Sequence, residues 1–439
     1  MERNVMKELL LWKDKANRKP LILQGARQVG KTWIMKEFGK EAFEYTAYIN
    51  MDNNDRMRMT FDRDFDISRI IEELGIESGT KMVPGKTLII MDEVQEVPKA
   101  ISSLKYFCEN APEYHVIVAG SLLGVAMHRG ISYPVGKVDL LSMYPMTFVE
   151  FLNAVGEQEL AAQISDYESD VHTVFADKYV SLLKKYYYIG GMPEVVKSYI
   201  DEKDYSLVRK IQNAILQLYE QDFGKHIDNK TELERTRMVW NSIPMQLSKE
   251  NKKFFFGKIK KGARSADYEI SIQWLIDCGL LNKVHCVNKP GMPLRAYKEF
   301  SAYKLFMVDV GLLGAMSNLD SRSILEGNEI FTEFKGALTE QYVHQQLVSS
   351  TDLELFYYSN QSSTNEIDFL TQIESYIIPI EVKAEENLNS KSLKAYVDKY
   401  SPDKSVRFSM KNYVEQDWLI NMPLWEVSEI VTVIMRIMR

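Results

Sequence analysis

Cysteine is scarce in this chain. Three stand among 439 residues, at Cys108, Cys278 and Cys286, and no two make a C-x-x-C pair. That excludes a cysteine-built zinc module and a disulfide-stapled secreted scaffold, and it points to a reducing compartment. Long apolar runs are missing as well: no uninterrupted stretch approaches the ~20 residues that a bilayer-spanning helix needs. The first residues lack the apolar segment of a secretory leader. The expected setting is therefore cytoplasmic, with no membrane partner. Repeats and low-complexity tracts are also absent, and a 45% hydrophobic share argues against disorder.

What is present is enough chain for two to four domains. Charge is unevenly spread over them. Residues 1–155 carry net −1, residues 156–318 net +2 and residues 319–439 net −8, with residues 230–318 alone at +7. Such asymmetry predicts separate sections with separate roles. We expect boundaries near 155 and 318.

The chemistry begins at Gly25-Ala26-Arg27-Gln28-Val29-Gly30-Lys31-Thr32. This fits G-x-x-x-x-G-K-[ST], and the context is the one that pattern requires. Leu21-Ile22-Leu23 leads in as a strand, and Thr32 to Phe38 leads out as a helix that stops at Gly39. Glycines allow close backbone approach, and the loop amides gather into an anion-binding nest at a helix N-terminus. Lys31 is then expected on the β- and γ-phosphates of ATP, and the Thr32 hydroxyl on Mg²⁺. A second apolar run, Thr87 to Met91, ends in Asp92-Glu93. Asp92 is expected to hold Mg²⁺ through water, and Glu93 to polarise the attacking water. A third, Val116 to Ala119, ends in Gly120-Ser121, where Ser121 would sense the γ-phosphate at the carboxyl edge of the sheet. Tyr45 to Asn50 reads as a further strand, Pro98 to Phe107 as a helix and residues 1–20 as an amphipathic helix packed on this core. Arg129 and Lys137 are two candidates for a cation near the γ-phosphate, and the sequence does not choose between them.

Residues 156–230 read as mostly helical, broken at Gly190-Gly191-Met192-Pro193. Lys249 to Arg264 then gathers Lys249, Lys252, Lys253, Lys258, Lys260, Lys261 and Arg264 around Phe254-Phe255-Phe256. Ser265 is placed to cap the next helix, whose buried stripe is Tyr268, Ile272, Leu275 and Ile276. Leu280 to Val287 reads as a strand. Helices, a basic turn, a helix and a β-wing suggest a winged-helix module. Two readings of the strip stand: duplex DNA, or the acidic C-terminal section.

In the last section Glu340, Val343 and Leu347 share a helical face, and a carboxylate there needs a partner or a function. Asp368 lies in the alternating run Glu366-Ile367-Asp368-Phe369, and Glu381 and Lys383 share one face of the next strand. Helix-Glu, strand-Asp and strand Glu-x-Lys form the PD-(D/E)xK pattern. There Glu340, Asp368 and Glu381 are expected to hold Mg²⁺ or Mn²⁺, with Lys383 orienting water. Such a fold also persists as a non-cleaving scaffold.

Together with Asp309-Val310-Gly311-Leu312 and Gly336 to Glu340, these motifs resemble a widespread prokaryotic family. Its members join an AAA-type P-loop ATPase to a C-terminal domain of unknown function similar to restriction endonucleases. The resemblance covers nearly the full length. It implies an α/β chain in three parts: an ATPase domain at 1–155, a helical and winged-helix-like domain at 156–318 and a nuclease-like domain at 319–439. The leading expectation is an Mg²⁺-dependent ATPase coupled to a DNA-directed, nuclease-like unit. The alternative is a signalling ATPase whose C-terminal domain only binds a protein partner or a further subunit.

Overall fold

The computed structural model describes residues 1–120, 134–165, 174–249, 252–325, 332–359, 366–384 and 390–438. Their contacts fall into two compact units, one of Glu2–Tyr144 with Asp277–Leu280, the other of Pro145–Ile276 with Leu281–Arg439.

In the first unit, β1 (Leu21–Gln24), β2 (Tyr45–Asn50), β3 (Thr87–Asp92), β4 (His115–Ala119) and β5 (Asp139–Ser142) form one sheet in the order β2-β3-β4-β1-β5. Every pairing in it is parallel. Parallel strands joined by helical crossovers are covered on both faces, which is why β3 and β4 read as unbroken apolar runs and are buried throughout. Helix Pro98–Asn110 turns Leu104 and Phe107 into the core beside Ile89, Met91 and Val118. Proline at its first position suits a turn whose amide would have no partner anyway. The chain runs from β1 outward to β2, returns through β3 and β4, and passes β1 to reach β5. The strand ends at β1 and β3 therefore lie at the switch point where such sheets bind ligands. The expected N-terminal helix covers Val5–Asp14 and buries only Leu9 and Trp12. The Trp12 ring packs at 6.3 Å from Phe38 and 5.9 Å from His115, while Leu10 and Leu11 stay exposed.

The second unit holds a mixed eight-stranded sheet, in the order β12-β13-β11-β10-β9-β8-β6-β7. Its strands are β6 (Leu281–Val287), β7 (Lys298–Met307), β8 (Phe356–Ser359), β9 (Glu366–Ile373), β10 (Tyr376–Val382), β11 (Ser405–Ser409), β12 (Val414–Glu415) and β13 (Leu419–Pro423). The strand expected over 280–287 exists as β6, which pairs in parallel with β8 as well as antiparallel with β7. The β6–β7 hairpin therefore continues the C-terminal sheet at its edge. The expected Ser265 cap is corrected: Ser265 opens a 3₁₀ turn, Ser265–Asp267, and the helix starts at Glu269.

Helix Thr332–Ser350 carries a row of buried amides into the centre of this unit. Gln341 accepts from the Met307 amide at 2.8 Å and donates to its carbonyl at 2.7 Å. Gln345 accepts from Val310 N at 2.8 Å and donates to Asp309 at 3.1 Å. Asp309 in turn accepts from Gly191 N at 2.6 Å and caps its own helix through Leu312 N at 3.0 Å. The motifs at 190–193 and 309–312 thus meet Gln345 in one polar knot, with Gln341 beside it. Gly190, at φ +76°, is required there, because a Cβ would stand 2.2 Å from Asp309 Oδ1.

Candidate functional site

The phosphate loop hangs between β1 and helix Lys31–Ala42. Gly25 (φ +150°) runs so close to the segment after β5 that a Cβ would lie 2.2 Å from the Met143 carbonyl oxygen. Gly30 starts the helix with φ +97°, and Gln28 adopts the left-handed region at φ +66°. Such geometry turns successive amides inward, leaving a cradle lined by backbone donors.

Lys31 folds over that cradle. Its Nζ donates to Gly25 O at 2.7 Å and Ala26 O at 2.8 Å, and the side chain is buried. Burial pulls its pKa down to about 8; Glu93 and Asp92 partly oppose this, and Arg27 adds to it. Thr32 Oγ1 donates to Asp92 Oδ2 at 2.6 Å, so the two groups expected around Mg²⁺ are in contact at the strand ends. Asp92 also accepts from Tyr48 OH at 3.1 Å and from Glu93 N at 3.0 Å. Burial and the Asp92 charge hold the Tyr48 hydroxyl well above the ordinary phenol range. Glu93 itself sits at φ +53°, a backbone setting that a non-glycine residue holds only when its surroundings impose it. Gln95 Nε2 donates to Glu93 Oε2 at 2.6 Å and fixes the carboxylate. Lysine, hydroxyl, carboxylates and inward amides are the donor set that a Mg²⁺–triphosphate requires, and these residues fit it.

Three supporting residues carry no motif. Arg3 is buried, with Nη1 donating to Val29 O at 2.9 Å and Nη2 to Tyr144 O at 2.7 Å, tying the loop to the segment after β5. Tyr48 steadies Asp92 from β2. Gly279 lies against the loop, where a Cβ would stand 3.0 Å from Ala26 N. Only a lone arginine at a chain end and a tyrosine in an apolar strand would have hinted at the first two. Of the remaining candidates, Ser121 and Arg129 lie outside the described residues. Lys137 forms a surface ion pair with Glu109 at 2.9 Å.

The C-terminal candidates do come together, but around lysines. Glu340, on helix Thr332–Ser350, is buried and ion-pairs with Lys252. Lys304, fully buried on β7, sits 2.5 Å from Glu366 Oε1 and 3.8 Å from Glu340 Oε2. Asp368 Oδ2 accepts from Val382 N at 2.8 Å, and Lys383 pairs with Glu381 at 2.6 Å. Burial would raise Glu340, but Lys252 and Lys304 outweigh it and hold the carboxyl low. Asp368 goes the other way: burial, then the Glu340 charge, drive it up from the ordinary carboxylate value. Among the described residues, no three carboxylate, imidazole or thiolate groups converge as a metal site. Of the expected ligands, Glu340 faces the ammonium groups of Lys252 and Lys304, and Glu381 that of Lys383. The basic strip divides likewise. Lys252 turns to Glu340, while Lys258, Lys260, Lys261 and Arg264 are exposed. No helix among the described residues is long and apolar enough to cross a membrane.

Comparison with known proteins agrees with the first unit. Residues 17–152 match the family model of an AAA domain. Residues 180–323 and 335–427 match two domains of unknown function, DUF8612 and DUF4143. No curated protein matches the chain. Among solved structures, the Walker-type ATPase PABY2304 of Pyrococcus abyssi is 14% identical, over 72% of this chain and 95% of that one, with a TM-score of 0.45. The Aeropyrum pernix ORC1 protein in complex with DNA is 13% identical, over 72% of this chain and 91% of that one, with a TM-score of 0.25. The chain carries an AAA-type P-loop ATPase domain ahead of two domains of unknown function.

Proposed function

We propose that this chain hydrolyses ATP at the loop 25–32 and uses the nucleotide state to control a DNA-directed second unit. The observation that carries the first half is the 2.6 Å contact of Thr32 with Asp92, beside a buried lysine folded onto the glycine loop. Thr32 and Asp92 would hold Mg²⁺, which supplies positive charge to the phosphates. The loop amides and Lys31 bind and orient the triphosphate; Lys31 exchanges its two carbonyl partners for phosphate oxygens. Glu93, clamped by Gln95, orients the attacking water and takes its proton. Ser121, two positions after Ala119 in the sequence, would sense the γ-phosphate.

The second half rests on Lys258, Lys260, Lys261 and Arg264, four exposed cations within seven residues. A cluster of this kind suits a phosphate backbone, whose release of counterions drives binding. The test is ATP turnover with and without duplex DNA, followed by binding against salt. DNA should stimulate turnover, and removing each cation should flatten the log–log salt slope by about one unit. Turnover indifferent to DNA, with an unchanged slope in the quadruple variant, would favour a regulatory ATPase with a protein-binding second unit.

A further inference from the structure

The C-terminal sheet contains a buried charge network that the ATPase reading does not use. Four carboxyl groups, Glu340, Glu366, Asp368 and Glu381, lie with three ammonium groups, Lys252, Lys304 and Lys383. Lys304 stands out among them. It is fully buried in the middle of β7, and lysine is almost never so placed without paired charge. It faces two carboxylates from different elements, Glu366 on β9 and Glu340 on helix Thr332–Ser350, and its ammonium lies 4.9 Å from the centre of the Tyr357 ring. Lys252 closes the other oxygen of Glu340. Among the described residues, Glu340 Oε2 and Glu381 Oε2 have no hydrogen-bond donor within reach.

We propose that Lys304, seconded by Lys252, replaces the cation that this carboxylate cluster would otherwise draw from solution. The second unit then folds and acts without a divalent metal. A divalent ion would have to displace Lys304 from Glu340 and Glu366 to find ligands. Removal of the Lys304 charge leaves Glu340 and Glu366 buried without their common partner, and a divalent ion then supplies the missing positive charge.

The test uses the full chain free of nucleotide, in a Thr32→Ala background that weakens metal binding at the phosphate loop. Mn²⁺ is titrated and followed by its electron-spin resonance and by thermal melting. The parent should take up no Mn²⁺ in the second unit and should show no melting shift at millimolar metal. Lys304→Met, which keeps the stem and removes the charge, should melt several degrees lower, bind one Mn²⁺ and regain much of the loss with metal present. Saturable Mn²⁺ binding by the parent that disappears in Asp368→Asn would overturn the proposal. So would a folded Lys304→Met that ignores the metal. If Lys304→Met does not fold alone, Lys304→Met with Glu366→Gln removes one charge of each sign. That double variant should fold and, like the parent, ignore Mn²⁺; Mn²⁺ uptake by it would overturn the proposal.

Discussion

Replacing Arg3 should impair ATP turnover although Arg3 touches no nucleotide. Its guanidinium holds the carbonyl of Val29, one residue before Gly30, at 2.9 Å, and that of Tyr144 at 2.7 Å. A hydrogen bond from a charged donor is worth about 1.5–3 kcal/mol, and an orphaned buried carbonyl adds a desolvation cost. Because the two bonds share one side chain, their loss together costs about 3 kcal/mol. If most of this reappears as a loop that no longer presents its amides and Lys31 correctly, turnover falls roughly 10- to 100-fold, at 1.36 kcal/mol per decade. A positioning role predicts a larger effect on kcat than on KM, since a misplaced loop still binds phosphate but orients it poorly. Arg3→Ala and Arg3→Lys should therefore be compared in a coupled ATPase assay, with melting recorded for each. Lysine reaches one carbonyl but cannot fork to both, so it should recover about half of the loss on a logarithmic scale. An Arg3→Ala enzyme with kcat and KM within about twofold of the parent, against the decade or more expected, would refute the clamp. A loss wholly explained by unfolding would do the same.

Three further outcomes follow from the same geometry. Glu93→Gln should bind ATP as the parent does and lose turnover by about 10²-fold or more, whereas Lys31→Ala should lose both; fluorescent-nucleotide titration beside phosphate release separates them, and equal turnover in Glu93→Gln removes Glu93 from the mechanism. Gly190→Ala should destabilise the second unit by at least ~3 kcal/mol, because its Cβ would meet Asp309 Oδ1 at 2.2 Å with φ at +76°; an unchanged urea midpoint would contradict the polar knot. His115, packed beside Trp12 and Phe43, has its pKa pulled to about 4, first by burial and then by the Arg18 charge. Its folded value lies below its ordinary 6.5, so the unfolded chain binds the proton more readily. Stability of the first unit should be full above pH 6.5, decline as pH falls to 4 and level off below, by about 3 kcal/mol at roughly 1.36 kcal/mol per unit. His115→Gln should flatten that stretch of the curve, and an equally steep profile in the variant would exclude His115 as its source.

The phosphate loop was legible in the sequence because its function is local. Eight consecutive residues make the cradle, and their backbone needs, glycine at 25 and 30, are written at those positions. The parallel strands were legible for a related reason: burial on both faces demands unbroken apolar runs, and Thr87 to Met91 has no other use. Asp92 and Glu93 followed from their place at the end of such a run. Tertiary structure decided everything that depends on two distant stretches meeting. Arg3 looks like any N-terminal arginine until its partners at Val29 and Tyr144 are known. Leu281–Val287 has the composition of any short strand, and only its pairing with β7 and β8 shows that it belongs to the eight-stranded sheet. In the C-terminal section the sequence placed Glu340 on a helix and Asp368 and Glu381 on two strands, with Lys383 just past the end of the second. It missed Lys304, whose only signal is a lysine within the apolar stretch Ala302 to Met307. A side-chain pattern gives the face a residue occupies, but the charge it meets there comes from elements brought in from elsewhere in the chain. That charge settles whether a carboxylate waits for a metal or is already paired.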